Sequence, residues 1–474
     1  MPADDATELR HRLATVGSRL YVGIGGGGTA FAGPEQAVLV LGPPRSGKTT
    51  ALVIPNVLAA PGAVVSTSTK PDVLAATHPA RAETGRCWLF DPTGTVRVPP
   101  GVTALRWSPV VAAGSWDEAL VTSRALVGAA RPEGARGEAG HWTERAEAML
   151  APLLHAAALS GAGMRTMLRW VLRQDLGPAR ATLTGHGADL AADVLTGLSA
   201  TDRRELSGIW STTAGVLAAY RSEAALAAGE APNLDPTAIA TGTDTVYVCA
   251  PARAQALVAP IVVAFLEQVR AGSYRSAARG SGARPVTLAL DELANIAPLP
   301  DLPAMVSEGG GQGVLTLACL QDLSQARQRW GRAAEGFLSL FGTKVVLPGI
   351  GDLDTLELVS RLGREVNVPQ RSVSKGPWWG PSRGAATVSW APHRQRRIPV
   401  DAVNQLAPGT AVVLSGRRPP ALVHLPPWWA APRFTGRSPT PAPLGPPTPA
   451  TSPAPPSSAA PRAGRRHGDR GLER

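Results

Sequence analysis

The apolar positions of this chain follow two different rhythms. Residues 37–41 (AVLVL), 63–66 (AVVS) and 87–90 (CWLF) are short continuous apolar runs. Runs of this length, set between glycine, proline and polar turns, predict parallel strands buried on both faces. Residues 49–58 between the first two predict a helix, so this stretch alternates strand and helix as an α/β sheet does. From about 105 to 235 the rhythm changes. Trp142, Ala146, Met149, Leu150, Leu153 and Leu154 recur at helical spacing, and so do Leu206, Trp210, Thr213, Val216, Leu217 and Tyr220. Strand-like alternation is absent there, which predicts an all-helical segment. Strand signals return at 245–249 (TVYVC), 286–290 (VTLAL), 314–320 (VLTLACL), 344–347 (KVVL) and 409–414 (GTAVVL).

The organisation read from this pattern has five parts. Residues 1–35 are a short helix (7–16) and a glycine-rich connector. Residues 36–104 begin an α/β core, 105–235 are an inserted helical domain, and 236–430 resume the core. Residues 431–474, rich in Pro, Ala, Ser, Thr and Arg, cannot bury enough apolar surface to fold and read as a disordered tail.

Composition narrows the picture. Net charge is +11 over 474 residues, and the tail alone carries seven arginines against Asp469 and Glu473. This permits an anionic partner without identifying one. Cys87, Cys249 and Cys319 lie far apart with no CxxC, which argues against a disulfide or zinc framework. The first twenty residues carry no secretory h-region. The nearest apolar stretch, 21–41, is broken by Gly25 to Gly28, Pro34 and Glu35, so the chain reads as soluble.

One motif carries specific chemistry. Gly42, Pro43, Pro44, Arg45, Ser46, Gly47, Lys48 and Thr49 match G-x4-G-K-[ST], after an apolar strand and before a helix. The glycines let the backbone wrap around phosphate, and the amides of the loop and helix, Thr50 included, face the anion. Lys48 reaches the β- and γ-phosphates, and the Thr49 hydroxyl can ligate Mg²⁺. The implied cofactors are therefore ATP and Mg²⁺.

The second half of the site follows more than two hundred residues later. Residues 286–292 end an apolar run in Asp291 and Glu292. Asp291 can hold the metal shell, and Glu292 can orient and deprotonate the attacking water. Gln321, at the end of the 314–320 run, suits a γ-phosphate sensor because an amide reports by hydrogen bonding without ionising.

Taken together, these blocks resemble the TraG/TraD coupling proteins of type IV secretion, in the FtsK/HerA group of motors, over roughly 36–430. They are Leu41 to Thr50; Ser68-Thr69-Lys70-Pro71-Asp72; Phe90-Asp91-Pro92; His141-Trp142; Leu290 to Asn295; Leu320 to Gln325; and Arg397-Ile398-Pro399 through Leu406 and Gly409. The resemblance implies a RecA-like P-loop NTPase core with the all-helical insertion. It implies ATP hydrolysis coupled to DNA translocation in a homo-hexamer, with nucleotide between subunits. The partners it implies are DNA, single-stranded favoured, a relaxase and the secretion channel.

Two departures stand out. Family members usually begin with transmembrane helices, and this sequence has none. It is expected in the cytoplasm or peripherally at the inner membrane face, held by an anchoring partner. The family's basic residue before the Gln-bearing strand is also missing from Ser307 to Gly313. The candidates for an arginine finger elsewhere are Arg327, Arg361 and Arg364. For DNA, Lys375, Trp378, Trp379, Arg383, Arg394, Arg396 and Arg397 join cations that track phosphates with aromatics that stack on bases. Two other readings stay open: an FtsK-like duplex translocase and a low-turnover cargo-docking scaffold.

Overall fold

The computed structural model describes residues 19–130, 138–280, 284–375 and 386–431. The expected helix over 7–16 and the tail beyond 431 lie outside them. The apolar runs form the centre of a twelve-stranded sheet. In chain order its strands are β1 (Tyr21–Gly25), β2 (Gly28–Phe31), β3 (Val38–Leu41), β4 (Val64–Ser68), β5 (Cys87–Phe90), β6 (Val102–Ala104), β7 (Thr245–Cys249), β8 (Val286–Leu290), β9 (Val314–Leu320) and β10 (Thr343–Val346). An outlying ribbon, β11 (Glu365–Lys375) and β12 (Ala386–Arg396), precedes the last two sheet strands, β13 (Thr410–Ser415) and β14 (Ala421–His424).

The sheet order is β2-β1-β14-β13-β10-β3-β9-β8-β4-β7-β5-β6. From β10 to β6 all neighbours are parallel, and from β2 to β10 all are antiparallel. The parallel strands read as unbroken apolar runs because both of their faces are covered. Val38 and Val40 face one core and Leu39 and Leu41 the other. Helices Thr49–Ala59 and Asp72–Ala82 contribute to the first core. Helix Gln255–Ala278 and helices from the 105–235 segment, among them Trp116–Ala130 and Glu138–Leu159, contribute to the second.

No strand occurs among the described residues between 105 and 235. These helices share a continuous core with the sheet. Phe90 at the end of β5, Trp107 at the entry to the helices and Phe265 on helix Gln255–Ala278 form a ring cluster with centroids 5.3–6.4 Å apart. Aromatic contacts of this spacing add to the area they bury.

Three features differ from the sequence expectation. Residues 21–31 are a β-hairpin at the sheet edge rather than a connector, with Gly25 to Gly28 turning between its strands. Strand β1 is fixed from inside: Asn56 on helix Thr49–Ala59 bonds both the amide and the carbonyl of Tyr21, at 2.8 and 2.9 Å. The short strands β6 and β14 were hidden because three or four mixed residues carry no clear period. The third is helix Gln255–Ala278. The span Ala252–Ala278 around it is long and apolar enough to cross a membrane, but 78% of its apolar window is buried in the protein.

Arg81 ties the sheet to its helical cover. It is 4% exposed. Its guanidinium donates to Thr245 Oγ1 (2.7 Å) and to the carbonyls of Ala60 (2.9 Å), Gly62 (2.7 Å) and Thr243 (2.9 Å). Burial lowers its pKa, and Tyr247, Cys87 and Asp244 oppose that shift. Arg81→Met should destabilise the fold by about 3 kcal/mol or more, because several buried acceptors lose their donor together. Urea denaturation measures this, and a loss below about 1 kcal/mol would assign the arginine a lesser role.

Candidate functional site

Strand β3 delivers the loop Gly42–Thr49 at the carboxyl end of the parallel sheet. The loop's path depends on left-handed backbone at two residues, Arg45 (φ 64) and Gly47 (φ 91). Gly42 is needed for closeness: a Cβ there would meet Ser46 Oγ at 2.8 Å and Leu347 Cβ at 3.0 Å. The amide of Gly42 donates to Leu320 O at 3.2 Å, which fastens the loop to the end of β9.

Lys48 curls back over its own loop. Its Nζ donates to Gly42 O at 2.6 Å and Pro43 O at 2.8 Å. Ser46 Oγ is buried with no hydrogen-bond partner among the described residues. A cation held by main-chain carbonyls and an unpaired buried hydroxyl, in a loop that opens a helix, suit an incoming polyphosphate.

Fold topology brings the distant half of the site to this loop. Strand β9 lies between β3 and β8, so the carboxylates ending β8 sit one strand beyond the loop. Thr49 Oγ1 donates to Asp291 Oδ2 at 2.6 Å across 242 residues of sequence. Asp291 is 8% exposed. Its pKa is pushed up to about 6, chiefly by burial, with Glu292 adding and the Thr49 bond and Lys48 opposing. A hydroxyl and a carboxylate already in contact form a hard oxygen donor pair of the kind Mg²⁺ takes.

This has a consequence for stability. The folded-state pKa, about 6, lies above the ordinary 3.8. The stabilisation from a neutral Asp291 is therefore complete below about 3.8 and lost as pH rises through about 6. Asp291→Asn should make the metal-free protein more stable than wild type at pH 8, by about 2–3 kcal/mol. The gap should close toward pH 4. Melting curves of both proteins across this range, without Mg²⁺, read the effect, and a gap independent of pH would contradict it.

Glu292 follows Asp291 and is half-buried. Its Oε2 accepts from Asn295 Nδ2 at 3.1 Å. Gln321 stands at the end of β9, next to the Leu320 carbonyl that holds Gly42, and its amide donates to Gln325 Oε1 at 2.9 Å. Lys48, Thr49, Asp291, Glu292 and Gln321 thus follow the carboxyl ends of three adjacent central strands, β3, β8 and β9.

The three candidate finger arginines are placed differently. Arg327 is committed within its own chain, to Asp352 at 2.9 Å and Asp354 at 3.8 Å. The Asp352 carboxyl is held below its ordinary pKa against its own burial, by Thr355 and Arg327. Arg361 ends helix Leu353–Leu362, with its Nε 3.4 Å from Glu357. Arg364 is exposed, in left-handed backbone with φ 64.

The described part of the expected DNA-contact segment belongs to an antiparallel ribbon. Among the described residues strands β11 and β12 pair only with each other, with Arg371 opposite Trp390 and Asn367 opposite Arg394. Strand alternation puts positions 388, 390, 394 and 396 on one face with 367 and 373. Trp390 is 64% exposed, and Arg394 is exposed as well. Arg396 is otherwise engaged: its guanidinium lies 3.2 Å from Glu357 Oε2 and 3.3 Å from Ser360 Oγ, anchoring the base of the ribbon. Arg397 is exposed, and its amide donates to Arg364 O at 2.8 Å. Lys375 ends β11. Trp378, Trp379 and Arg383 lie outside the described residues.

Two contacts escaped the sequence reading. Asn295 stands three residues after Glu292, a spacing that predicts contact on a helical turn. The amide of Trp428 donates to Thr50 O at 2.9 Å, and no local sequence signal reports a bond over that separation.

Comparison with known proteins identifies the family and the fold. The family model for type IV secretory system conjugative DNA transfer matches residues 6–444. The bacterial conjugative coupling protein TrwBdeltaN70, in an unbound monoclinic form, superposes with TM-score 0.66 at 19% identity, covering 89% of this chain and 91% of that one. TrwB in complex with ADP and Mg²⁺ gives TM-score 0.61 at 19% identity, over 83% and 86%. Its complex with the ATP analogue ADPNP gives the same values, TM-score 0.61 and 19% identity over 83% and 86%. At this identity the likeness establishes the shared fold, a RecA-like P-loop core. No curated protein matches the chain by sequence.

Proposed function

This chain belongs to the type IV secretory system conjugative DNA transfer family, and from that premise we propose that it is the ATPase that drives DNA into the transfer channel. The observation that carries the proposal is the 2.6 Å contact between Thr49 and Asp291 beside Lys48 and Glu292. It joins a phosphate loop to a carboxylate pair, the equipment for hydrolysing a nucleoside triphosphate. ATP and Mg²⁺ are the proposed substrate and metal. TrwB has been crystallised with ADP and Mg²⁺ and with an ATP analogue, which supports this assignment.

In this reading the amides of Gly42 to Thr50 cradle the phosphates. Lys48 leaves the carbonyls of Gly42 and Pro43 for the β- and γ-phosphates. Thr49 and Asp291 hold Mg²⁺, which when bound neutralises charge on those phosphates. Glu292, steadied by Asn295, orients a water and takes its proton. Gln321 hydrogen-bonds near the γ-phosphate and reports its loss to β9 and the loop fastened there.

The finer assignments extend the same proposal. The core comprises 36–104 and 236–430, with 105–235 inserted as a helical domain. The protein works as a homo-hexamer with nucleotide between subunits and moves relaxase-bound single-stranded DNA to the secretion channel. Arg361 or Arg364 supplies the finger more readily than Arg327, which would first have to break two carboxylate contacts. The Trp390 and Arg394 face of the ribbon contacts DNA.

The test is steady-state ATP hydrolysis by the purified protein with no DNA, single-stranded DNA or duplex DNA. Stimulation by single strands supports the coupling reading. Preference for duplex favours an FtsK-like translocase. Nucleotide binding without turnover under any condition favours a docking scaffold.

A further inference from the structure

The segment after β14 reaches the phosphate loop. Strand β14 pairs antiparallel with β13, with His424 opposite Thr410, and Leu425 N donates to Gly409 O at 2.8 Å. Strand β13 in turn pairs Val412 with Val346 of β10. The next β10-side residue, Leu347, donates to Leu41 O at 2.8 Å, at the mouth of the loop. Strand β14 therefore leaves the sheet at the end where β3 delivers Gly42.

Two prolines, Pro426 and Pro427, then stiffen the chain, and a turn closes with Ala430 N donating to Pro427 O at 2.9 Å. Trp428 is locked: its ring is 1% exposed and its amide donates to Thr50 O at 2.9 Å. That carbonyl lies in a wide π-type turn, where Ile54 N donates to Thr49 O. Trp429, the next residue, is 42% exposed. Its ring meets Trp428 edge-on, with centroids 5.9 Å apart and planes at 85°.

An exposed indole thus follows a buried, proline-stiffened residue whose amide is bonded to Thr50 O, one residue past the end of the loop. Consecutive Cα atoms lie about 3.8 Å apart, so Trp429 cannot stray from this corner. Nothing in the phosphate loop recognises a base. A flat aromatic joined to helix Thr49–Ala59 through Trp428 suits the π-face of a heterocycle.

We propose that Trp429 is the stacking platform for the base of the nucleotide whose phosphates the loop Gly42–Thr49 holds. This rests on the nucleotide reading of the loop and adds a base subsite to it. The ligand class is a nucleoside di- or triphosphate, recognised at both ends.

Calorimetric titration of the full chain with ADP and with inorganic tripolyphosphate, each with Mg²⁺, separates the two ends. Trp429→Ala should weaken ADP roughly ten- to hundred-fold and leave tripolyphosphate unchanged, the range expected for one aromatic stack. Trp429→Phe should restore most of the ADP affinity. Lys48→Ala should weaken both ligands. If Trp429→Ala leaves ADP binding intact, the platform assignment is overturned while the loop reading stands. If it weakens both ligands equally, Trp429 merely supports the loop through Trp428, and the assignment fails again. If wild type binds neither ligand, the nucleotide reading falls and the base subsite with it.

Discussion

Lys48→Ala should reduce ATP turnover by roughly 10²–10³-fold or more, the scale set by removing one preorganised donor from developing charge. Lys48 is the one side-chain cation of the Gly42–Thr49 loop that already bends onto the loop's own carbonyls, at 2.6 and 2.8 Å. Those contacts hold the ammonium where phosphate oxygens would arrive. Their loss should cost the fold only about 1–3 kcal/mol, because both bonds are part-buried rather than deep in the core. Phosphate release with and without DNA measures the effect, and melting temperature checks that folding is intact. Turnover within about threefold of wild type would place the chemistry elsewhere.

Glu292→Gln should separate binding from chemistry. Glutamine keeps an oxygen to accept from Asn295, so the 3.1 Å contact can survive. It cannot take a proton from water. Loss of a general base lowers the rate by roughly 10²–10⁴-fold. The fall should appear in kcat with KM little changed, since Lys48, Thr49 and Asp291 still hold the nucleotide. The variant should therefore bind ATP and stall. Full kinetics together with single-turnover measurements test this. A raised KM at unchanged kcat would make Glu292 a binding residue.

The Asp291→Asn prediction bears on the same site from the side of stability. A carboxylate pushed up to about 6 by burial is destabilising when ionised and unliganded. If the amide folds better, the carboxylate stands there at a cost to stability, as groups at functional sites often do.

Much of this was readable without coordinates. The runs at β7, β8 and β9 match their strands residue for residue, because strands buried on both faces leave a continuous apolar signature. The helical segment was equally plain, since several helices burying one face each must repeat at 3.6 residues. The phosphate loop was legible because its chemistry is local: tight turn, lysine and hydroxyl all fall within eight consecutive residues. Its metal partner was inferable only as a type, an acid at the end of an apolar strand.

The edges were not readable. Strand β2 of the hairpin and the described residues of ribbon strands β11 and β12 are exposed or half-buried. Neither carries the buried pattern that announces a strand. Arg396 looked like a DNA contact by composition, and only its neighbours revealed that Glu357 and Ser360 hold it. Arg327 is a finger candidate by sequence, and only the fold brings Asp352 to its guanidinium.

The sequence by itself determined the central strands, the helical insertion and the chemistry of the loop, because each depends on residues within a few positions of one another. Tertiary structure decided the strand order, and with it everything that joins distant residues. It put β9 between β3 and β8, brought Asp291 onto Thr49, and carried Trp428 to Thr50. Those contacts close over hundreds of residues, so no local period or propensity encodes them. They follow from which strands pair, and pairing is settled only when the whole sheet buries its two faces at once.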